Sequence, residues 1–161
     1  MSRKQITQCI AAAAVALLLF SVWLWQPERQ VRLHTSHLLA AVEGRNWGRV
    51  EKFIADNYSD RWGHDKEFVL RGSTEVFRQF IFLTIQSETL STSSSGGMGI
   101  SYTRAKISGS GSPIAQMAME RVNQLREPFV FTWQKMSWRP WDWRLVKFDQ
   151  PELNISETLE M

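Results

Sequence analysis

Between Lys4 and Glu28 the chain carries no charged side chain. That run holds Ile10, five alanines, Val15, Leu17, Leu18, Leu19, Phe20, Val22 and Leu24. A helix rises about 1.5 Å per residue, so roughly 20 such residues cross the ~30 Å hydrocarbon layer of a bilayer. The spacing predicts a transmembrane helix over residues 6–26. Trp23 and Trp25 fall at its far end, where amphipathic rings favour the headgroup layer. Arg3 and Lys4 hold the near end inside, so residues 1–5 are cytoplasmic and the bulk of the chain lies outside, in the periplasm or extracellular space. A cleaved signal peptide has the same basic start and apolar middle, but needs small residues after the apolar core. Val22-Trp23-Leu24-Trp25-Gln26-Pro27 is bulky, which favours an uncleaved signal anchor in the cytoplasmic membrane. Cys9 precedes the apolar core instead of ending it, so it reads as a small apolar residue in the helix and not as a lipid attachment site.

Beyond the anchor the composition is ordinary for a globular protein. The whole chain has 161 residues, 43% of them hydrophobic and 22% charged. Without Arg3 and Lys4 there remain 17 basic against 16 acidic residues. A body so close to neutral offers no electrostatic footprint for nucleic acid. One cysteine excludes an internal disulfide and a cysteine zinc site. Ser95-Gly-Gly-Met-Gly99 lacks the Lys-Ser/Thr of a phosphate loop, and there is no G-x-S-x-G elbow. No cofactor is expected.

The outer part divides into a helical first half and a strand-rich second half. After a linker at residues 27–30, Val31, Thr35, Leu38, Leu39 and Val42 recur at helical spacing, and Gly44 can end that helix in a left-handed conformation. Asn46 caps a second helix with Trp47, Val50, Phe53 and Ile54 inward, and Asp65 caps a third with Phe68, Val69, Val76, Phe77, Phe80 and Ile81 on its apolar stripe. Leu83 and Ile85 then alternate with polar residues as in a strand. Residues 91–99 read as a turn or mobile loop, residues 100–107 as a strand, and residues 108–112 as a second loop. Ser112-Pro113 opens either a short helix or, across residues 114–119, a strand. Phe129, Phe131 and Trp133 share one face of a strand, residues 136–140 turn, and residues 141–148 form a last strand. Its Trp141, Trp143 and Leu145 side opposes Asp142, Arg144, Val146 and Phe148. Both sides are partly apolar, as in a central or well-covered strand. The tail over residues 152–161 is polar and is expected to be flexible. Helices followed by antiparallel strands give an α+β fold: about three helices packed on a curved, mainly antiparallel sheet, behind the membrane helix. A domain of ~130 residues buries about two-thirds of its unfolded surface, enough for a core.

Two helices, the segment Ile54-Ala-Asp-Asn-Tyr-Ser-Asp-Arg-Trp-Gly-His-Asp65, a third helix and a run of strands resemble the nuclear transport factor 2-like superfamily. This is the cone-shaped fold of polyketide cyclases and ketosteroid isomerases. The closing pair, residues 129–133 and 141–145, is similar to the long final hairpin of that superfamily, where a tryptophan is followed by a basic and an aliphatic residue. The resemblance covers residues 31–151 and implies the cone fold. That fold serves enzymes, binding modules and scaffolds alike. The layout of one membrane helix and an outer cone also resembles periplasmic subunits of type IV secretion machines and the membrane proteins associated with mammalian-cell-entry systems. That layout implies a scaffold role, and related folds often dimerise through the sheet.

Three groups of residues could carry function. In residues 58–65, Tyr58 could donate to an oxyanion while Asp60 removes a proton, with His64 beside them. The resemblance implies a tyrosine and aspartates in such roles, at positions that do not match residue by residue. The plain alternative has Tyr58 packing its ring, Asp60 capping a turn and Asp65 capping a helix. His34 and His37, three apart on a helix, could join His64 around a metal, but with no carboxylate near them on that helix they read as surface histidines, and no metal site is expected. The third group is aromatic. Trp133, Trp138, Trp141 and Trp143 cluster with Lys135, Arg139 and Arg144, a composition that binds sugars, bases or lipid headgroups. Trp133 and one of Trp141 or Trp143 belong to the core, which leaves Trp138, Arg139, Trp141 and Trp143 as the binding candidates. The expected function is that of a non-enzymatic, membrane-anchored envelope protein whose outer domain binds a partner protein or aids assembly in the envelope, with a homodimer through the sheet as a further expectation. The alternative is an isomerase- or cyclase-like enzyme, or a ligand carrier, with a hollow cone.

Overall fold

The computed structural model describes residues 3–153; the side chains of residues 3, 4, 6, 7, 9, 11 and 24 lie outside that description. Asn154-Ile-Ser156, which has the pattern of a glycosylation acceptor, and the side chain of Cys9 therefore fall outside it.

The first helix, α1 (Arg3–Leu24), is followed by α2 (Pro27–Glu43), so residues 27–30 are helical and not a linker. Pro27 explains this: its fixed φ and missing N–H suit the first helical turn. Ile10, Val15, Leu17, Leu18, Leu19, Phe20 and Val22 of α1 are all exposed. Among the described residues, no helix is long and apolar enough to cross a membrane. Five of the undescribed side chains, at positions 6, 7, 9, 11 and 24, fall within the expected span.

The helix α2 does not stop at a left-handed Gly44. Gly44 stays right-handed, with φ −74°, and Arg45 takes the left-handed turn at φ 52°. Asn46 accepts from the Arg49 amide at 3.1 Å and starts α3 (Trp47–Phe53). Asp65 accepts from the Phe68 amide at 2.8 Å and starts α4 (Lys66–Arg78). That helix is shorter than its apolar stripe suggests, because Phe80 and Ile81 already belong to β1 (Phe80–Ser95). β2 (Met98–Gly111) returns antiparallel through Gly96 and Gly97, at φ 58° and 79°, the mirror-image turn that matches strand twist. The Ser-rich residues 91–95 are thus paired strand and not loop: Ser95 opposes Met98 and Ser91 opposes Tyr102. Residues 108–111, expected as a loop, are strand as well.

Ser112 caps α5 (Pro113–Gln124), which settles the helix-or-strand alternative as helix. The Asn123 side-chain amide donates to the Ile107 carbonyl at 2.8 Å while its oxygen accepts the Ile107 amide at 2.9 Å. It closes the part of β2 that no strand covers. β3 (Phe129–Lys135) and β4 (Trp143–Asp149) complete a four-stranded antiparallel sheet in the order β1-β2-β3-β4.

The last strand is an edge strand, and its two apolar sides have a different origin from a central position. A register shift at Thr132/Trp133 places Trp133 opposite Leu145 but Phe131 opposite Phe148. This bulge turns Leu145 and Phe148 to the same face. The free edge of β4 is covered by the chain after α3: the Ala55 amide donates to the Leu145 carbonyl at 3.0 Å and the Ser59 amide to the Val146 carbonyl at 3.1 Å. Glu152 is also tied, accepting the Arg126 amide at 2.6 Å, so it belongs to the domain and not to a loose tail.

The main core joins α2, α3 and the concave face of the sheet through Val31, Leu38, Val50, Ile54, Phe131, Trp133, Trp143 and Leu145. A smaller cluster lies under α5, built on Phe80, Leu83 and Ala115. At about 25 cal/mol per Å² of buried apolar surface, large residues such as these dominate the stability of the fold.

Candidate functional site

The segment after α3 arranges Tyr58, Asp60 and His64 close together, but each is already committed. Asp60 has a side chain only 2% exposed. Its Oδ1 accepts the amides of Trp62 and His64, both at 2.9 Å, and its Oδ2 lies 2.9 Å from His64 Nδ1. The backbone closes the same loop, with the Asp60 amide donating to the His64 carbonyl at 3.2 Å. Gly63, at φ 83°, supplies the left-handed residue that this closure needs. Three donors on one buried carboxylate describe a loop clamp. A carboxylate–imidazole pair is also the general-base half of hydrolytic triads. Here the ring is sandwiched by Phe68, stacked at 4.0 Å, with Trp62 at 6.4 Å, and neither is a nucleophile.

Tyr58 points into the main core and is 3% exposed. Its hydroxyl is buried without a well-formed hydrogen bond, although the Phe148 backbone lies near enough to influence it. Burial, and after it the neighbouring Asp60 charge, pushes the phenol well above its ordinary range. The hydroxyl is therefore a neutral group in the core.

Aromatic side chains pack between the helices and the sheet. Trp133 is fully buried, and its ring meets His34 and Phe53 edge-on at centroid distances of 5.7 and 6.3 Å. Its indole N–H donates to Thr35 Oγ1 at 3.0 Å, and Thr35 in turn donates to the Val31 carbonyl at 2.9 Å. Phe131 is buried against Phe148, and Phe77 packs on Phe80 and Trp47.

The three histidines do not converge. His34 places Nδ1 2.8 Å from the Gln30 carbonyl and Nε2 2.9 Å from the Trp141 carbonyl. Both ring nitrogens face acceptors, which leaves none for a metal. His64 is held by Asp60, and among the described residues no group of three or more His, Cys, Asp or Glu side chains could hold a metal ion. Burial lowers the His34 pKa from 6.5 against the opposing pull of the two carbonyls. The His34–Trp141 link joins residues 107 apart, and no local pattern announces it.

The aromatic group separates into core and surface. Trp143 is 2% exposed and donates its indole N–H to the Pro140 carbonyl at 2.9 Å. Trp141 is 55% exposed and lies in the turn before β4, not on the strand face it would share with Trp143. Trp138 is 84% exposed. Trp138, Arg139 and Trp141 thus sit together on the β3–β4 turn, with Trp143 beneath them.

An open groove of about 740 Å³, to which the sequence gives no pointer, runs beside α4. Its lining includes Glu51, Asp56, Asp65, Lys66, Glu67 and Arg71, so it is a charged surface and not the inside of the cone. The Lys66 ammonium, 2.8 Å from Asp56, holds that carboxyl below the usual carboxylate range.

No protein-family model matches the chain, and no curated protein matches it by sequence. Solved structures do. A conserved protein from Planctomyces limnophilus covers 76% of this chain and 93% of its own length at TM-score 0.59 and 13% identity. A nuclear transport factor 2-like protein from Pseudomonas putida covers 75% and 82% at TM-score 0.55 and 9% identity. A protein of the same family from Streptomyces avermitilis, described as a dehydratase candidate, covers 76% and 93% at TM-score 0.56 and 13% identity. The domain has the nuclear transport factor 2-like fold. At these identities the likeness is one of architecture, and this fold carries many unrelated activities. In this nuclear transport factor 2-like domain Trp133 packs in the main core with Val31, Leu38 and Phe131.

Proposed function

We propose that the chain is a non-enzymatic, membrane-tethered envelope protein: α1 holds it in the cytoplasmic membrane with the N-terminus inside, and the outer domain works by binding a partner protein or a second copy. The observation that carries this reading is the packed aromatic core between α2 and the sheet, with fully buried Trp133 bonded to Thr35. The tether rests on the uncharged run between Lys4 and Glu28 and on the exposed apolar side chains of α1. The surface offered to a partner is the convex face of the sheet, where Ile100, Tyr102, Val130 and Thr132 lie on neighbouring strands.

Two measurements test it. The full chain should resist alkaline carbonate extraction and lose its outer domain to protease added outside the cell. Recovery of the protein free in solution, lacking its first two dozen residues, refutes the tether. A photocrosslinker at position 102 should trap either a second copy or one envelope protein reproducibly, and its absence from any adduct refutes binding through this face.

The rival reading, a small-molecule pocket of the kind a dehydratase candidate in this fold suggests, has one observation in its favour. Tyr58 keeps a buried hydroxyl without a well-formed hydrogen bond, and the Asp60 charge is close enough to act on it. Saturable binding of an apolar ligand that is lost in Tyr58→Phe would favour it over the scaffold.

A further inference from the structure

Three elements meet at the end of the domain where α2 begins. Trp133 and the Trp141 carbonyl reach the middle of α2, at Thr35 and His34. Gly99 of β2 approaches Val31 so closely that a methyl group there would collide with the valine. The Lys135 amide donates to the Gly97 carbonyl at 2.8 Å, which joins the β1–β2 turn to the β3–β4 turn. The start of α2 is also where the chain leaves α1, only Trp25 and Gln26 intervening.

This end has a distinctive surface. Trp138, Trp141, Met136 and Met98 are exposed on the two turns, and Trp23 and Trp25 are exposed on the approach from α1. Arg29 lays its guanidinium over Trp23, with the carbon 3.1 Å from the ring centroid. Arg32, Lys135 and Arg139 add positive charge against Glu28, while Asp142 and Arg144 pair with each other at 3.9 Å. Tryptophan and methionine flanked by cations, on the face from which a membrane helix departs, match the chemistry of the bilayer interface. Indole rings settle at the headgroup level, and long basic side chains reach anionic headgroups while their stems stay apolar.

We propose that the β3–β4 turn, with Trp138 and Trp141 as anchors and Lys135 and Arg139 as cationic flanks, docks onto the headgroup layer of the membrane that holds α1 and prefers anionic phospholipid there. The inference rests on the tether proposed above and adds a second point of contact. A single helix followed by a free domain would leave the domain able to swing. Docking the turn fixes its tilt, because His34 clasps the turn to α2 and Trp143 donates to Pro140 at its base. The convex face of the sheet is then presented at a defined angle to a partner in the envelope.

The test uses the full chain reconstituted into vesicles of mixed phosphatidylcholine and phosphatidylglycerol, with Cys9→Ser and a single labelling site. An environment-sensitive fluorophore at Ser137→Cys reports the turn; the same label at Ser110→Cys, at the opposite end of β2, reports the far end of the domain. Headgroup-proximal spin-labelled lipid should quench position 137 several-fold more than position 110. Each basic residue near an anionic surface changes partition about fivefold, so Arg139→Gln should lower the docked-to-free ratio by about that factor. Trp138→Ser, at a site 84% exposed where folding is not at stake, should abolish the difference between the two labels. Equal quenching at 137 and 110 in a chain that resists carbonate extraction overturns the docking and leaves the tether standing. A chain stripped from the vesicles by carbonate overturns both. Quenching at 137 that is unchanged in pure phosphatidylcholine overturns the preference for anionic lipid.

Discussion

Thr35→Val tests the most buried polar contact in the domain. Thr35 and Trp133 are both fully buried, and Thr35 Oγ1 is the acceptor for the indole N–H at 3.0 Å. Valine preserves the volume and branching of threonine, so helix propensity in α2 and packing against the sheet change little. The acceptor alone is lost. A buried donor left without a partner costs about 1–3 kcal/mol, and we take about 2 kcal/mol here because no water-accessible path reaches a fully buried indole. The Val31 carbonyl loses a second donor but keeps its helical one, which adds little. Thr35→Ser makes the opposite change: it keeps the hydroxyl and removes one methyl, at a cost of about 1 kcal/mol. For a domain of about 120 residues, 1 kcal/mol moves Tm by about 3–5 °C. Thr35→Val should therefore melt about 6–10 °C below the parent protein and Thr35→Ser about 3–5 °C below it. The measurement is a thermal melt of the detergent-solubilised full chain, followed by tryptophan fluorescence. Packing alone predicts the reverse order, since valine keeps every heavy atom position. A valine variant that melts with the parent, or above the serine variant, would refute the reasoning.

Tyr58→Phe removes a hydroxyl that is buried without a well-formed bond, so it should leave the domain as stable or raise stability by about 1 kcal/mol; a loss of that size in urea unfolding would mean that the hydroxyl is bonded in solution. Asp60→Ala removes the acceptor of three donors and should cost about 2–4 kcal/mol, with local exposure of residues 60–64 in hydrogen exchange; protection equal to that of the parent would contradict the clamp. His34 has a folded pKa below its unfolded value of 6.5, so protons bind the unfolded chain more readily. Its contribution is complete above pH 6.5 and is lost as pH falls from there through the folded value, with His37 opposing protonation and Asp142 favouring it. Tm should fall across that window in the parent and fall less in His34→Gln; equal slopes would remove His34 as the cause. Gly99→Ala drives a methyl into Val31 and to 3.3 Å from Trp143, so it should cost about 1–3 kcal/mol by overpacking. Adding Val31→Ala should recover part of that loss, and strict additivity of the two changes in unfolding free energy would show that the methyl is accommodated elsewhere.

The parts of this fold that are legible in the sequence are those whose cause is local. Asn46, Asp65 and Ser112 cap helices because an oxygen three residues before an orphan amide suffices, and each does so in the structure. A turn or loop within residues 91–99 is visible for the same reason, but its confinement to Gly96 and Gly97 is not, because the serines before them are not readable as strand. Serine has weak β-propensity, and residues 91–95 are held by the ladder to β2 and not by their own preference. Phe80 and Ile81 continue the helical stripe of α4 in sequence, yet the helix stops at Arg78. From there Phe80 serves the small cluster under α5, a contact that only the packed structure supplies. The faces of β4 depart from simple alternation because a bulge shifts the side-chain period by one, and nothing in residues 141–148 marks where it falls.

The candidate site divides along the same line. That Asp60 caps a turn can be anticipated, because its donors are two and four residues away. That α2 is tied to the last two strands cannot, because the tie depends on Trp133 reaching Thr35 across 98 positions and on His34 reaching Trp141 across 107. The same long-range contacts decide which tryptophans remain for binding. Strand alternation groups Trp141 with Trp143, whereas the clasp to α2 holds Trp141 in the turn and leaves its ring in solvent beside Trp138. A composition rich in tryptophan and arginine thus becomes a directional surface only once the fold has clasped it to α2 through His34, and that placement lies outside the reach of periodicity.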